Sequence, residues 1–198
     1  MHFLPKVLVI GYDHHFGKGR TGNFDLLNKY ATQGSFELEE ISKQLVKESH
    51  VSSTAIRNAL AEGKIEIANA LLQSNYSLEG VVVYGAQNGR KIGFPTANIS
   101  LNNKNKLIPS NGVYAVMVEV NQKQHKGVMN IGYRPTIDSN RILSLEVHLL
   151  DYNKDIYNVP IKIEFLARLR SEQKFDSLQT LKNQIAKDEK ATRAFFNV

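Results

Sequence analysis

Residues 144–149 have the sequence Ser-Leu-Glu-Val-His-Leu, in which polar and apolar side chains alternate at every position. This alternation predicts a β-strand with one face in a core, because successive side chains of a strand point to opposite faces. The polar face would carry Ser144, Glu146 and His148. A carboxylate on a rigid strand can act as a general base if its face lines a cleft, whereas on an open face it is merely solvated.

The flanking sequence predicts further strands, separated by turn residues such as Asn88-Gly89 and Asn111-Gly112. One helix is predicted after them, over about residues 177–196. Several short strands at close spacing, followed by one helix, are typical of a small antiparallel barrel with a C-terminal helix. Besides residues 143–150, the strand-like runs are 81–84, 113–120, 126–131 and 161–169.

The sequence before residue 77 has the mixed pattern of an α/β unit. Residues 7–10 are a continuous apolar run that predicts a buried strand of a parallel sheet, and residues 36–41 suggest a second extended segment. We therefore expect two domains, residues 1–76 and 77–198. Capping and stop residues predict three helices. The first covers residues 24–30, the second begins at the hydroxyls of residues 52–54 and ends at Gly63, and the third covers residues 65–72.

The composition is that of an ordinary globular chain and excludes several classes of protein. Of the 198 residues, 42% are hydrophobic and 22% charged, which excludes wholesale disorder. The lack of cysteine excludes disulfide frameworks, thiolate zinc sites and cysteine nucleophiles. No apolar run approaches the roughly 20 residues of a membrane-spanning helix. The first residues lack the apolar stretch of a signal peptide, so a cytoplasmic protein is expected.

The net charge of +6 is concentrated in the predicted barrel. Residues 1–78 carry 8 basic and 8 acidic side chains, whereas residues 79–198 carry 17 and 11. A positive half predicts an anionic partner. Charge alone leaves open whether that partner is a nucleic acid or a phosphorylated small molecule.

A glycine-rich segment with two cations follows the predicted strand over residues 81–84. Glycine lets backbone N–H groups approach an anion closely, and neighbouring cations add charge, so the segment could hold phosphates. A hairpin turn with solvated basic side chains is the alternative. The residues concerned are Gly85, Gly89, Arg90, Lys91 and Gly93.

Thr96 and Asn98 follow this segment and would point to the same side of an extended chain. Hydroxyl and amide oxygens are hard donors that suit Mg²⁺, which keeps its other positions for water and phosphate oxygens. Local hydrogen bonds within a turn are the alternative use of these side chains. His14 and His15 also suggest a metal site, but adjacent loop residues seldom converge on one ion.

Together these segments resemble the bacterial bifunctional riboflavin kinase/FMN adenylyltransferase family, also called FAD synthetase, over nearly the whole chain. Each motif is short, so the specificity of the resemblance comes from their number and common order between residues 80 and 196. Besides residues 89–98 and 145–148, the kinase-like motifs are residues 111–114, 127–136, 165–170 and 174–178.

The resemblance implies a mainly antiparallel six-stranded β-barrel, riboflavin kinase-like, that transfers the γ-phosphate of Mg-ATP to the 5′-hydroxyl of riboflavin and gives FMN. It implies that Glu146 activates the ribityl hydroxyl, that Thr96 and Asn98 bind Mg²⁺ and nucleotide phosphates, and that the glycine-rich segment covers these phosphates. The partners would be small molecules, without nucleic acid or membrane. The flavin side would contain Arg170, Phe175 and Asp176.

The first half resembles the end of the family's Rossmann-like nucleotidyltransferase domain. The family's opening strand and its His-x-Gly-His motif would lie ahead of residue 7, and the sequence does not contain them. We therefore expect a truncated domain without adenylyltransferase activity. The matching residues, which would contact nucleotide or flavin phosphate in the whole enzyme, are Asp13, Phe16, Arg20, Ser53, Thr54 and Arg57.

Two other functions stay open at this point. The N-terminal motifs would fit a bifunctional enzyme that also makes FAD from FMN and ATP. The basic half would fit a non-enzymatic barrel that binds RNA, although its strands do not interleave exposed aromatic and basic residues as a base-stacking surface would. One departure from the family concerns a turn: Asn158 stands where the family has glycine, and asparagine tolerates the left-handed conformation.

Overall fold

The structure, a computed structural model, describes residues 5–11, 14–34, 36–41, 52–85, 87–103, 105–134 and 142–198. The chain divides into two compact units, residues 1–52 and 53–198. Across the described ranges, no helix is long and apolar enough to cross a membrane.

The first unit contains a parallel pair of strands with helical segments between them in sequence. Strand β1 (Val7–Gly11) pairs in parallel with β2 (Glu37–Ile41), so both predicted extended segments form strands. A 3-10 helix (Lys18–Arg20) and helix α1 (Phe24–Ala31) lie between them. The side chain of Asn23 begins α1 by accepting a hydrogen bond from the backbone N–H of Leu26 at 3.0 Å.

The predicted burial of residues 7–10 is wrong for two of its members. Val7 is 45% exposed and Val9 is 54% exposed, whereas Ile10 is buried. Within the described part of this unit, β1 pairs with β2 in a sheet of two strands, and α1 packs against β2. A parallel strand is buried only when layers cover both of its faces, so strand formation and burial are separate outcomes here.

The second unit is built around a closed barrel of six strands, which confirms the predicted fold. Neighbouring strands are antiparallel and follow the order β3-β4-β7-β6-β5-β8. The barrel closes because β3 pairs with both β4 and β8. The strands are β3 (Ser77–Val83), β4 (Ala97–Leu101), β5 (Gly112–Val120), β6 (Lys123–Arg134), β7 (Ile142–Leu149) and β8 (Pro160–Arg170).

Alternating side chains fill the interior of this barrel. On β7, Leu145, Val147 and Leu149 are buried in the core, as the alternation predicts. The rings of Tyr114 and Phe165 meet edge to face in the core with centroids 5.4 Å apart. The polar side chains of β7 are therefore on the outer face of the barrel.

Helices α2 (Ser53–Glu62) and α3 (Ile65–Leu72) belong to the same compact unit as the barrel. Both helices match the sequence prediction, and α2 ends at Gly63, which has a φ of +72°. Leu60 and Ile65 are buried in the barrel core. The side chain of Asn69 accepts the N–H of Tyr76 and donates to the carbonyl of Phe165. The boundary between the two compact units thus lies between residues 52 and 53. The domain boundary between residues 76 and 77 stays a prediction.

The remaining helices flank the barrel strands. The short helix α4 (Asn88–Lys91) replaces the predicted turn at Asn88-Gly89, because the connection from β3 to β4 is too long for a two-residue hairpin. Helix α5 (Leu178–Phe195) begins at Ser177, which forms a capping box with Thr180, and packs against β5, β6 and β8. Asn158 has a φ of +62°, which confirms the left-handed turn predicted there.

Candidate functional site

Three polar residues lie side by side on adjacent strands of the outer face. Asn98 of β4 is the register partner of Glu146 of β7, which is also the register partner of Asn130 of β6. Directly paired residues of neighbouring strands point to the same face of a sheet. The barrel therefore places one carboxyl group between two amide side chains.

The carboxylate of Glu146 accepts hydrogen bonds from two hydroxyl groups. Thr96 Oγ1 donates to Oε2 at 2.9 Å, and Ser144 Oγ donates to Oε1 at 3.0 Å. An ionised carboxylate only accepts hydrogen bonds, and each of its oxygens can accept more than one. The arrangement thus suits the ionised form of Glu146, because each carboxylate oxygen receives a hydroxyl donor.

The glycine-rich segment lies close to Thr96 and Asn98. A Cβ at Gly85 would collide with the side-chain amide of Asn98, and a Cβ at Gly89 would collide with the carbonyl oxygen of Phe94. The N–H of Phe94 donates to the carbonyl of Gly89 at 2.8 Å, which folds this segment back on itself. Glycine at these two positions allows a backbone approach that any side chain would block.

His148 holds the segment that precedes Thr96 against β7. Its Nδ1 lies 2.7 Å from the carbonyl oxygen of Pro95. Because a carbonyl oxygen can only accept, Nδ1 carries the proton of this hydrogen bond. The ring of Phe94 meets the His148 ring edge to face at 5.9 Å. Thr96 is therefore held through its backbone by His148 and through its hydroxyl by Glu146.

Two cavities adjoin this cluster, and Thr96 lines both of them. The cavity beside residues 152–157, called the loop cavity below, has a volume of about 350 Å³ and reaches the core side chains Val82 and Val147. The cavity between the outer face and α5, called the helix cavity, has a volume of about 580 Å³. Glu146 lines the helix cavity, so the carboxylate and Thr96 stand at the boundary between the two.

Side-chain contacts join the two segments that border the loop cavity. Arg90 Nη2 lies 2.5 Å from Asp155 Oδ1, and this hydrogen bond raises the pKa of the Arg90 guanidinium above its usual range. The rings of Tyr84 and Tyr157 stack with centroids 4.0 Å apart. The side chain of Gln87 donates to the Tyr157 hydroxyl at 3.2 Å. The glycine-rich segment is thus attached to the segment after β7.

A buried ion pair forms part of the wall of the helix cavity. Arg170 Nε and Nη2 donate to the two carboxylate oxygens of Asp188 at 2.8 and 2.7 Å. Asp188 is only 6% exposed, and Gln184 donates to it at 2.9 Å. The Arg170 guanidinium also lies 5.9 Å from the centre of the Phe175 ring. A two-point ion pair of this kind fixes the plane of the guanidinium.

The structure brings together most of the residues that the sequence predicts for the kinase site, whose roles stay predictions. Arg90 lines the loop cavity, and Arg170 and Phe175 line the helix cavity. Asp176 is exposed and is not part of the lining of either cavity. The side chain of Lys91 lies outside the described part of the structure. The residues that meet are Gly85, Gly89, Thr96, Asn98 and Glu146.

The residues predicted for the adenylyltransferase part occur in both units. In the first unit, Phe16 exchanges two backbone hydrogen bonds with Gly22, and Arg20 has a φ of +57°. In the second unit, Ser53 and Thr54 lie in the first turn of α2, where Arg57 donates to the Thr54 hydroxyl at 3.4 Å. Asp13 lies outside the described residues.

Asn130, Ser144 and His148, which adjoin Glu146 and the segment before Thr96, received no role from the sequence. Ser144 and His148 share the alternating face with Glu146, and that shared face was the available signal. Placing Asn130 beside Glu146 requires the register of β6 against β7, which a single sequence does not reveal. The contribution of α5 to the helix cavity was also not predicted, since it depends on how the helix packs on the barrel.

A family model described as riboflavin kinase matches residues 72–196, and a second one, described as FAD synthetase, matches residues 1–55. The first match covers more than half of the chain. The chain therefore belongs to the riboflavin kinase family, which confirms the resemblance and favours an enzyme over an RNA-binding barrel.

Individual relatives agree with this assignment. The bifunctional riboflavin kinase/FMN adenylyltransferase of Listeria monocytogenes is 43% identical over 189 residues, covering 96% of this chain and 60% of the relative. The protein of the same name from Escherichia coli K12 is 42% identical over 198 residues, covering 100% of this chain and 62% of the relative. The chain thus spans about three fifths of the length of these relatives.

A solved structure shares the fold over most of the chain. It is described as a macrolide-efflux protein from Streptococcus pneumoniae and is 32% identical to this chain. The alignment has a TM-score of 0.80 and covers 95% of this chain and 60% of that one.

Proposed function

We propose that this chain is a riboflavin kinase that transfers the γ-phosphate of ATP to the 5′-hydroxyl of riboflavin, giving FMN and ADP. The observation that carries the proposal is the hydrogen bond of 2.9 Å between Thr96 and Glu146 at the boundary of the two cavities. The match to the riboflavin kinase family supports the choice of substrates.

The two cavities suit the two substrates of this reaction. ATP would bind in the loop cavity, with Arg90 and the backbone N–H groups of the glycine-rich segment near its phosphates. Riboflavin would bind in the helix cavity, with its 5′-hydroxyl towards Glu146. Glu146 accepts the hydroxyl proton while the oxygen bonds to the γ-phosphorus, and the bond to the bridging oxygen of ADP breaks.

Thr96 and Asn98 would hold Mg²⁺ in this reaction. Their oxygens are hard neutral donors next to a carboxylate, a set that fits a cation which keeps other positions for phosphate oxygens. When bound, the ion neutralises negative charge on the phosphates.

The direct test is FMN formation from riboflavin, ATP and Mg²⁺, followed by the Glu146→Gln variant. This change removes the proton acceptor but keeps the shape of the side chain, so kcat should fall at least about a hundredfold while riboflavin and ATP still bind. Glu79→Gln, which changes an exposed strand carboxylate outside both cavities, is the matched control and should keep full activity. A folded wild-type chain that makes no FMN would refute the proposal.

The FAD synthetase match to residues 1–55 favours a second candidate activity, the adenylylation of FMN. Phe16, Arg20 and Arg57 are among the residues that the resemblance assigns to it. The sequence contains no His-x-Gly-His motif, so we expect this chain by itself to release no pyrophosphate from FMN and ATP. Pyrophosphate release that requires FMN would contradict this expectation.

We also propose that the partners are small molecules and that the chain acts in the cytoplasm without nucleic acid or membrane. The basic half of the chain makes RNA the partner to test, because phosphate contacts give salt-dependent binding. Titration with single-stranded RNA should show no binding at physiological salt, whereas riboflavin should bind. RNA binding in the absence of flavin binding would contradict the proposal.

A further inference from the structure

Ser144 is a buried polar residue beside the carboxylate of Glu146. It is only 8% exposed, and its hydroxyl donates to Glu146 Oε1 at 3.0 Å. The two residues are two positions apart on β7, so they share the outer face of one strand. A buried hydroxyl aimed at a functional carboxylate is well placed to control that group.

We propose that Ser144 is a positioning residue for the kinase reaction, which fixes the Glu146 carboxylate in its plane. This inference rests on the proposed function. Ser144 itself would not touch either substrate, and it would act through Glu146.

The geometry separates the roles of the two hydroxyl donors. Rotation about the last side-chain torsion of glutamate is soft, so a single hydrogen bond leaves the plane of the carboxylate poorly defined. Thr96 lies on the segment before β4 and would also face Mg²⁺ and phosphate, so its bond to Oε2 can change when ligands bind. Ser144 lies on the same strand as Glu146 and holds Oε1 throughout the reaction.

The experiment compares Ser144→Ala with Ser144→Thr by steady-state kinetics of FMN formation. Loss of the hydroxyl should lower kcat about tenfold, with KM for both substrates nearly unchanged. Ser144→Thr keeps the hydroxyl and should retain most of the activity.

Ser100→Ala is the matched control, since Ser100 is an exposed serine of β4 outside both cavities. It should match the wild type in kcat and in KM for both substrates. If Ser144→Ala does not fold, Ser144→Cys takes its place, because it keeps the volume and donates only weakly.

An active wild type together with an unchanged kcat in Ser144→Ala would overturn the role of Ser144 alone. A loss of activity through higher KM values, or an equal loss in Ser144→Thr, would also overturn it, because either pattern indicates a structural role. A wild type that makes no FMN would overturn this inference together with the proposed function.

Discussion

The barrel and the N-terminal sheet contain similar apolar strands but bury them to very different extents. Val118 of β5 is fully buried, whereas Val9 of β1 is 54% exposed. Each barrel strand pairs on both edges, while the described part of the first unit has a sheet of two strands. An apolar run therefore determines that a strand forms, and the neighbouring strands and layers determine whether it is buried.

The largest effect on stability should come from deleting helices α2 and α3, which contribute side chains to the barrel core. A chain of residues 53–198 should unfold in one cooperative transition, whereas a chain of residues 73–198 should not fold. Burial of side chains such as Leu60 and Ile65 contributes about 1.5–3 kcal/mol each, and total stabilities are only about 5–15 kcal/mol. Circular dichroism during urea unfolding measures this, and equal stability of the two chains would contradict it.

A smaller effect on stability should come from replacing one valine by alanine, once in the barrel and once in the N-terminal sheet. Val118→Ala removes two methyl groups from the barrel core and should lower the free energy of unfolding by about 2 kcal/mol. Val9→Ala, at the exposed position of β1, should change it by less than about 0.5 kcal/mol. Urea unfolding of the full chain provides both values. Similar losses for both variants would mean that Val9 is buried in solution.

A further effect concerns the alkaline stability of the barrel. Burial raises the pKa of Tyr76 to about 12, above its ordinary value of 10. The neutral phenol is thus favoured in the folded state, and its contribution is fully present below pH 10 and is lost between pH 10 and 12. The free energy of unfolding should fall by about 1.4 kcal/mol per pH unit in that window.

Tyr76→Phe tests this pH dependence. The variant loses a hydrogen bond to the carbonyl of Leu107, so it should be less stable at neutral pH by about 1 kcal/mol. Its free energy of unfolding should fall less steeply above pH 10. Part of the remaining fall should arise from Tyr114, because burial also raises the pKa of that side chain. Tyr30→Phe, at an exposed position of the first unit, is the control. An unchanged alkaline slope in Tyr76→Phe would contradict the prediction.

The strands and helices with strong local patterns could be predicted from the sequence. Helix α3 matches its predicted range, and β7 buries the predicted face. Strand β4 was not predicted by periodicity, because Ala97 to Leu101 includes Asn98 and Ser100 and follows a proline. The six-stranded barrel was instead implied by the family resemblance, which does not depend on the pattern of any one strand.

The candidate site could be predicted only in part, because it depends on distances across strands. Thr96, Asn98 and Glu146 occur in motifs, and the structure brings them together. Asn130 enters the site through the register of β6, and Asp188 through the packing of α5. These relations join residues far apart in the sequence, so they follow from the tertiary structure and not from a local pattern.

The position of Thr96 has a consequence for the order of events in the two cavities. One residue lines both cavities, so a ligand that reorients its side chain from one side would change the surface that the other side presents. Thermodynamic linkage makes such an influence mutual: whatever factor the first ligand applies to the affinity of the second, the second returns to the first. If the two substrates bind as proposed, a single side chain would couple their affinities without any movement of the strands.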